Sequence, residues 1–121
     1  MEKDYDAMDV SIVVPVYNEK ESLRQLYEGI KRNLVEYKNA EIIFIDDGSR
    51  DGSHEELLTL QGIDSRIIII RSRRNKGKSS ALMAGFDYAS GAIAITMDSD
   101  LQDDPDEIPN LIHKLNEGYD L

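Results

Sequence analysis

Four short apolar runs recur along the chain, with longer mixed segments between them. They cover Ser11 to Val16, Glu41 to Ile45, Arg66 to Ile70 and Ala92 to Met97. Each run places β-branched and other apolar residues on consecutive rather than alternate positions, which is typical of strands covered on both faces. The pattern therefore predicts four strands of a buried parallel sheet.

Helical patterns lie between these runs. After the first run, apolar residues from Leu23 to Tyr37 return at three- and four-residue spacing, which predicts a helix with one apolar face. Ser53 and Glu56 have the spacing of a capping box, which predicts the start of a second helix. The chain thus alternates between strand and helix from its first strand onward.

Two further helices complete the alternation. The third is predicted from about Ser79 to Ala89, and the fourth from near Asp106 to Gly118 with Pro109 in its first turn. This order predicts an α/β fold, a Rossmann-like open and mainly parallel sheet with helices on both faces. In such sheets ligands bind beyond the carboxyl ends of the strands, so the residues that follow each strand are the candidates for a site.

Composition narrows the classes of function. The chain has 121 residues, no cysteine and a formal net charge of −10. One domain is expected at this length, and thiolate metal sites, disulfides and thiol nucleophiles are excluded. The acidic balance argues against nucleic acid or an anionic membrane as the main partner, because both attract lysine and arginine.

The apolar runs are also short by the standard of membrane proteins. None approaches the roughly 20 residues that a helix needs to cross a bilayer, so no membrane span is expected in this chain. Residues 1–9 are polar and acidic, unlike a signal or transit peptide, and form a predicted N-terminal extension. A cytoplasmic location is the expectation.

Polar side chains follow the first two strands. They are Tyr17, Asn18 and Glu19 after the first strand, whose end is restricted by Pro15, and Asp46 and Asp47 after the second. An aromatic face suits stacking and the polar groups suit hydrogen bonding to a ligand, but the same residue types also cap helices and form turns. The two adjacent carboxylates are expected to repel each other unless something is bound to them.

A basic segment follows the third strand. Residues 66–78 contain six basic and no acidic side chains. Gly77, Lys78 and Ser79 lead into the third helix, whose free N–H groups and positive dipole end favour phosphate. A solvated basic loop is the alternative interpretation.

An acidic segment follows the fourth strand. Residues 98–107 contain six acidic and no basic side chains. In an extended segment Asp98, Asp100 and Gln102 project to the same side, where three oxygen ligands suit Mg²⁺ or Mn²⁺. An acidic surface loop without a metal is the alternative.

Taken in order, the four motifs resemble one known family. Segments 11–19, 45–53, 75–85 and 97–109 are similar to the N-terminal half of family 2 glycosyltransferases of the GT-A fold. The run from Asp98 to Pro105 most resembles the polyprenyl-phosphate and dolichyl-phosphate sugar transferases. Asp104 stands where a proline is usual in that group, and Asp106 where glutamate is common.

The resemblance implies a role for each matched residue. The nucleoside pocket, the diphosphate site and the metal site would be formed as follows: Pro15, Tyr17, Glu19 and Asp47 around the nucleoside; Lys78 near the diphosphate; Asp98 and Ser99 beside the ribose and phosphates; Asp98, Asp100 and Gln102 on the metal. The donor would be a UDP- or GDP-sugar, and Asp100 would act in catalysis through Mg²⁺ or Mn²⁺. The metal would neutralise charge on the departing nucleoside diphosphate.

The resemblance also implies how the reaction and the domain are divided. The sugar would pass with inversion to a lipid phosphate or glycan acceptor, and the general base would lie in a segment that this chain does not contain. Residues 10–121 would be the donor-binding part of a larger domain. We therefore expect the chain to bind the donor without catalysing transfer.

Two other classes share some of these features. A P-loop nucleotide triphosphatase would use Gly77, Lys78 and Ser79, but it needs a glycine at position 72, which is Ser72. A receiver-type signalling module would carry its acidic pair on the first strand and a lone phosphoacceptor aspartate on the third, but here the first ends in Pro15 and the third in Ile70 and Arg71. Both remain weaker interpretations than the glycosyltransferase.

Overall fold

Four parallel strands form the sheet in the computed structural model, which describes residues 9–116. The strands are β1 (Asp9–Val16), β2 (Asn39–Asp47), β3 (Ile67–Ser72) and β4 (Ile93–Thr96). They lie in the order β3-β2-β1-β4, and every adjacent pair is parallel. The four predicted strands are confirmed, and β2 extends to Asp47, so both acidic residues belong to its carboxyl end.

Helices follow the strands as predicted. They are α1 (Lys20–Asn33), α2 (Ser53–Ile63), α3 (Lys78–Tyr88) and α4 (Ile108–Asn116). A 3₁₀ turn at Pro105–Glu107 precedes α4, so the α-helix begins two residues later than predicted and Pro109 lies in its first turn. The predicted end of α4 at Gly118 lies outside the described residues.

The predicted capping box does not form at the start of α2. Gly52, at φ 97°, is the N-cap residue, and no side chain caps the helix there. The Ser53 hydroxyl donates to Asp51 at 2.6 Å and accepts the N–H of Glu19 at 3.0 Å. A tertiary contact with the turn after β1 therefore takes the hydroxyl that the local motif would have used.

Alternate residues of the strands face two different layers. Val10, Ile12, Val14 and Val16 of β1 belong to the larger core, which α1, α2 and α4 cover. The smaller core on the opposite face joins Val13, Ile43 and Ile45 to Ala81 of α3. Helices thus cover both faces of the sheet, as predicted, although three lie on one face and one on the other.

Helix α3 lies unusually close to the sheet. A Cβ atom on Gly85 would lie 2.4 Å from Val13 Cγ1 and 2.8 Å from Ile45 Cδ1, so only glycine allows this approach. The contact sets the position of α3, whose N-terminus begins at the carboxyl edge of the sheet. Among residues 9–116, no helix has the length and hydropathy needed to cross a membrane.

Candidate functional site

A cleft of about 450 Å³ lies at the carboxyl edge of the sheet. Its walls contain all nine residues predicted for donor and metal binding: Pro15, Tyr17, Glu19, Asp47, Lys78, Asp98, Ser99, Asp100 and Gln102. Val16, Asn75, Gly77 and Ala81 complete the lining. The fold therefore brings together residues that are up to 87 positions apart in the sequence, from Pro15 to Gln102, because parallel strands end at the same edge.

Hydrogen bonds join the turn after β1 to the turn after β2. Three backbone N–H groups of the first turn donate to side chains of the second: Asn18 to Ser49 at 2.9 Å, Glu19 to Ser53 at 3.0 Å and Lys20 to Asp51 at 3.2 Å. In the other direction, the N–H group of Arg50 donates to Asn18 Oδ1 at 2.9 Å. Asn18 has a φ of 53°, a conformation that asparagine tolerates better than most residues. Its side chain holds the neighbouring turn.

Asp51 is the acidic residue of this junction. Partial burial works to raise its pKa, but hydrogen bonds from the Ser53 hydroxyl and from the N–H groups of Lys20 and Ser53 outweigh that effect. The net pKa of Asp51 lies below its ordinary value. The carboxylate is therefore ionised at neutral pH and holds the two turns together.

The adjacent acids of β2 point to opposite faces of the sheet, which separates their charges. Asp46 is fully buried on the side of α2, and its Oδ1 accepts the N–H of Ser49 at 2.9 Å. Asp47 faces α3, where its two oxygens accept the N–H groups of Lys76 and Gly77, each at 2.9 Å. The strand thus separates the two charges, and three of the four carboxylate oxygens accept backbone N–H groups, whereas Asp46 Oδ2 has no hydrogen-bond donor.

Asp47 and its neighbour position the basic loop. Gly48 has a φ of 81°, and a Cβ atom there would lie 2.6 Å from the carbonyl carbon of Arg74. The loop after β3 therefore rests directly on the end of β2, held by the carboxylate on one side and by backbone contact on the other. This places Asn75, Gly77 and Lys78 on the wall of the cleft.

The N-terminus of α3 opens at the same wall. Gly77 is its N-cap residue at φ 101°, and no side chain caps the helix. The N–H groups of the first helical turn have no acceptor within the helix, so this end offers donors and partial positive charge to an anion. Lys78 adds a full positive charge at the first helical position.

Lys78 crosses the cleft to the acidic loop. Its ammonium group forms an ion pair with Asp98, and this hydrogen bond, aided by the charges of Asp98, Asp103 and Asp100, raises the pKa of Lys78. The basic and acidic walls are therefore in direct contact across the cleft. An incoming anion and cation would each find a charged partner already in place.

The acidic loop is a turn rather than the predicted extended segment. Asp103 accepts the N–H of Asp98 at 2.8 Å, and Asp100 accepts the N–H of Gln102 at 3.1 Å. Leu101 between them has a φ of 67°. Carboxylates compete well for nearby N–H groups, and this local bonding curls the chain once β4 has ended. Asp98, Asp100 and Gln102 all line the cleft in this form.

Two residues outside the nine predicted for the site hold this loop. Asp103 does so through the N–H of Asp98, and Ser22 of α1 donates its hydroxyl proton to the carbonyl of Ser99. The bond to Asp103 comes from a residue five positions earlier, so it differs from the Asx turn that a dense run of aspartates predicts and that Asp100 forms with Gln102. Nothing local to Ser22 indicates its contact, because 77 residues separate the partners.

The donor set of the acidic loop fits a hard divalent cation. Asp98, Asp100 and Gln102 supply carboxylate and amide oxygens, which Mg²⁺ and Mn²⁺ prefer. Within residues 9–116 no three His, Asp or Glu side chains are grouped as a ready metal cage. Such a cation would thus need further oxygens from water and from a bound phosphate.

Solved structures with this fold are GT-A glycosyltransferases. The mannosyltransferase PcManGT from Pyrobaculum calidifontis, in complex with GDP-Man and Mn²⁺, superposes with a TM-score of 0.75 at 22% identity, over 92% of this chain and 35% of that chain. TarS residues 1–349 from S. aureus, in complex with UDP-GlcNAc, gives 0.75 at 18% identity, over 91% and 32%. The predicted fold class is confirmed, and it is the GT-A fold.

The chain belongs to glycosyl transferase family 2, whose sequence profile matches residues 11–121. The undecaprenyl-phosphate 4-deoxy-4-formamido-L-arabinose transferase of Yersinia pestis (strain Pestoides F) is 51% identical over 115 residues, and that of Proteus mirabilis (strain HI4320) is 46% identical over 114. In each comparison 93% of this chain matches 35% of the relative. The resemblance to polyprenyl-phosphate sugar transferases is confirmed, and the chain spans about a third of these relatives' length.

Proposed function

We propose that this chain is the donor-binding part of an inverting glycosyltransferase that uses a nucleoside-diphosphate sugar and a divalent cation. The acceptor we propose is undecaprenyl phosphate, the lipid named in the curated relatives. One observation carries the proposal: a basic wall and an acidic wall face each other across a cleft that all nine predicted residues line. Opposite charges in this arrangement suit a diphosphate bridged to a metal ion.

The nucleoside end of the cleft is assigned to the turn after β1 and the end of β2. Tyr17 is 46% exposed, so its ring is available for stacking on a base. Pro15 and Glu19 line the same wall. Asp47 already accepts two backbone N–H groups, and a carboxylate retains further lone pairs for a base or ribose donor.

The diphosphate end is assigned to α3 and the acidic loop. Lys78 and the free N–H groups of α3 bind phosphate oxygens, while Asp98, Asp100 and Gln102 hold the cation, with Ser99 beside them. Lys78 and Asp98 are paired with each other in this structure, so Lys78 would exchange that ion pair for the diphosphate, and Asp98 would exchange it for the cation. When bound, the cation acts as a Lewis acid that stabilises the charge of the leaving nucleoside diphosphate.

The acceptor chemistry limits what the rest of the enzyme must supply. A lipid phosphate is already ionised near neutral pH and needs less help from a general base than a hydroxyl acceptor does. We assign any acceptor-orienting or basic group to a part of the protein that this chain does not contain. The chain itself is therefore proposed to bind the donor without catalysing transfer. Its cytoplasmic location stays a prediction.

Calorimetric titration tests the donor assignment directly. UDP and GDP are titrated into the 121-residue chain with Mn²⁺ and with excess EDTA, and in parallel into Asp100→Asn and Asp87→Asn. We expect metal-dependent binding that Asp100→Asn weakens about ten-fold or more, because one oxygen ligand loses its charge. Asp87 is exposed on α3 outside the cleft lining, so Asp87→Asn has the same change of charge and should bind like wild type.

Two results would contradict the proposal. One is binding that EDTA leaves unchanged, and the other is equal weakening in both variants. Stabilisation by ATP alone in a thermal-shift assay would revive the nucleotide triphosphatase.

A further inference from the structure

Two buried side-chain atoms within the described residues have no hydrogen-bond partner, and they face each other. They are Asp46 Oδ2 and His54 Nδ1, which are 3.6 Å apart. Asp46 is fully buried, and the His54 side chain is 18% exposed. The Nε of Arg71, the residue opposite Asp46 in the β2–β3 register, lies 3.7 Å from the same oxygen.

The charge on Asp46 determines which ring atom of His54 carries hydrogen. A buried carboxylate oxygen without a hydrogen-bond donor is strongly unfavourable. The Arg71 guanidinium supplies charge, but at 3.7 Å its Nε lies beyond hydrogen-bond distance, so Asp46 Oδ2 still needs a donor of its own. An unprotonated Nδ1 would turn its lone pair toward the carboxylate oxygen and repel it. A proton on Nδ1 instead makes the contact attractive, and a small side-chain rotation shortens it to a hydrogen bond.

A chain of hydrogen bonds connects this pair to the cleft. Asp46 Oδ1 accepts the N–H of Ser49, and the Ser49 hydroxyl accepts the N–H of Asn18, each at 2.9 Å. Asn18 lies between Tyr17 and Glu19, which line the cleft. The orientation of Asp46 is thus transmitted through one serine to the wall assigned to the nucleoside.

We propose that His54 is a positioning residue of the cleft, which carries a proton on Nδ1 and donates it to Asp46 Oδ2. This contact fixes the turn after β2, and through Ser49 it fixes the turn that presents Tyr17 and Glu19. What the cleft binds rests on the proposed function. The bond from His54 to Asp46 does not, because it belongs to the free protein.

NMR spectroscopy of the wild-type imidazole rings shows which ring nitrogen of His54 carries a proton. The chain has two histidines, so long-range ¹H–¹⁵N spectra are simple, and His54→Leu identifies the signal of interest. We expect His54 Nδ1 to be protonated in the free protein at neutral pH. An unprotonated Nδ1, with the proton on Nε2 alone, would overturn the proposal.

A comparison of His54→Leu with His54→Asn tests whether His54 positions the two turns. Leucine offers no donor, whereas the asparagine amide places an N–H group near the position of Nδ1. We expect His54→Leu to shift the backbone amide signals of Ser49, Asn18 and Glu19, and His54→Asn to leave them close to wild type. Leu58→Ala, at a 49% exposed position of α2, is the control for a surface change in the same helix.

Nucleotide titration then separates this inference from the proposed function. His54→Leu should weaken UDP or GDP binding in Mn²⁺ about ten-fold, and His54→Asn should restore most of it. If wild type binds neither nucleotide, the donor assignment fails, and the ring and amide signals still decide the role of His54. Unshifted amides in a folded His54→Leu variant would overturn the role. If that variant does not fold, His54→Asn and the wild-type ring spectrum decide it.

Discussion

At the scale of single residues, two adjacent aspartates of one motif contact different parts of the protein. Asp46 and Asp47 are neighbours in sequence, but the strand sends one side chain to α2 and the other to α3. The residue pattern does not distinguish them, and only the family resemblance selects Asp47 for the nucleoside pocket. Their tasks differ because each meets a different set of donors, and those donors come from segments that are distant in the chain.

Asp47→Ala is expected to loosen the basic loop. The substitution leaves the N–H groups of Lys76 and Gly77 without their acceptor, which should lower the free energy of unfolding by about 1 to 3 kcal/mol in urea titrations. Asp47→Asn keeps one oxygen acceptor and should lose less. Equal stability of Asp47→Ala and wild type would show that the loop does not depend on this carboxylate.

At the scale of elements, the apolar pattern predicts the order and approximate length of the strands and helices. It does not predict how closely a helix packs against the sheet. The pattern predicts that α3 exists and roughly where it begins. It does not predict that Gly85 brings the helix against Val13 and Ile45, since that depends on which strands lie beneath it. The capping box at Ser53 is likewise absent because of tertiary contacts. The Ser53 hydroxyl accepts the N–H of Glu19 and donates to Asp51 instead of capping α2.

Gly85→Ala is expected to displace α3 and the cleft wall that it carries. The new methyl group would overlap Val13 and Ile45, and such overpacking lowers the free energy of unfolding by about 1 to 3 kcal/mol, although alanine favours helix. Gly62→Ala is a matched control, because a Cβ atom there meets nothing within 4 Å. Chemical denaturation of both variants checks the contrast, and a stabilised Gly85→Ala would contradict the close packing.

At the scale of the whole molecule, the two edges of the sheet have separate roles. The carboxyl edge holds the cleft, while the amino edge holds an ion pair of Asp64 and Arg66 to which Tyr27 of α1 donates at 2.8 Å. Hydrogen bonds from Arg66, aided by the Tyr27 hydroxyl, hold the pKa of Asp64 at about 2. Burial, with the bond to Asp64, raises the pKa of Tyr27 to about 12.

This cluster should appear in the acid stability of the protein. The folded pKa of Asp64 is below its unfolded value of about 4, so its stabilisation is present above that value and is lost as the pH falls toward 2. Between about pH 5 and pH 3 the loss should be about 1 kcal/mol greater in wild type than in Asp64→Asn, measured by urea unfolding. Asp87→Asn should follow wild type, and identical pH slopes for wild type and Asp64→Asn would contradict the assignment.

The nine residues that the family resemblance assigned to the site line the cleft, and the sequence by itself determined the parallel α/β fold and the edge of the sheet on which that cleft lies. It did so because apolar runs reveal buried strands, and parallel strands must end at one edge. Only the tertiary structure decided that Asp47 holds the basic loop, that Ser22 and Asp103 shape the acidic loop, and that His54 faces Asp46. Those contacts join residues through geometry that folding creates, and no local spacing records which donor a buried oxygen will meet.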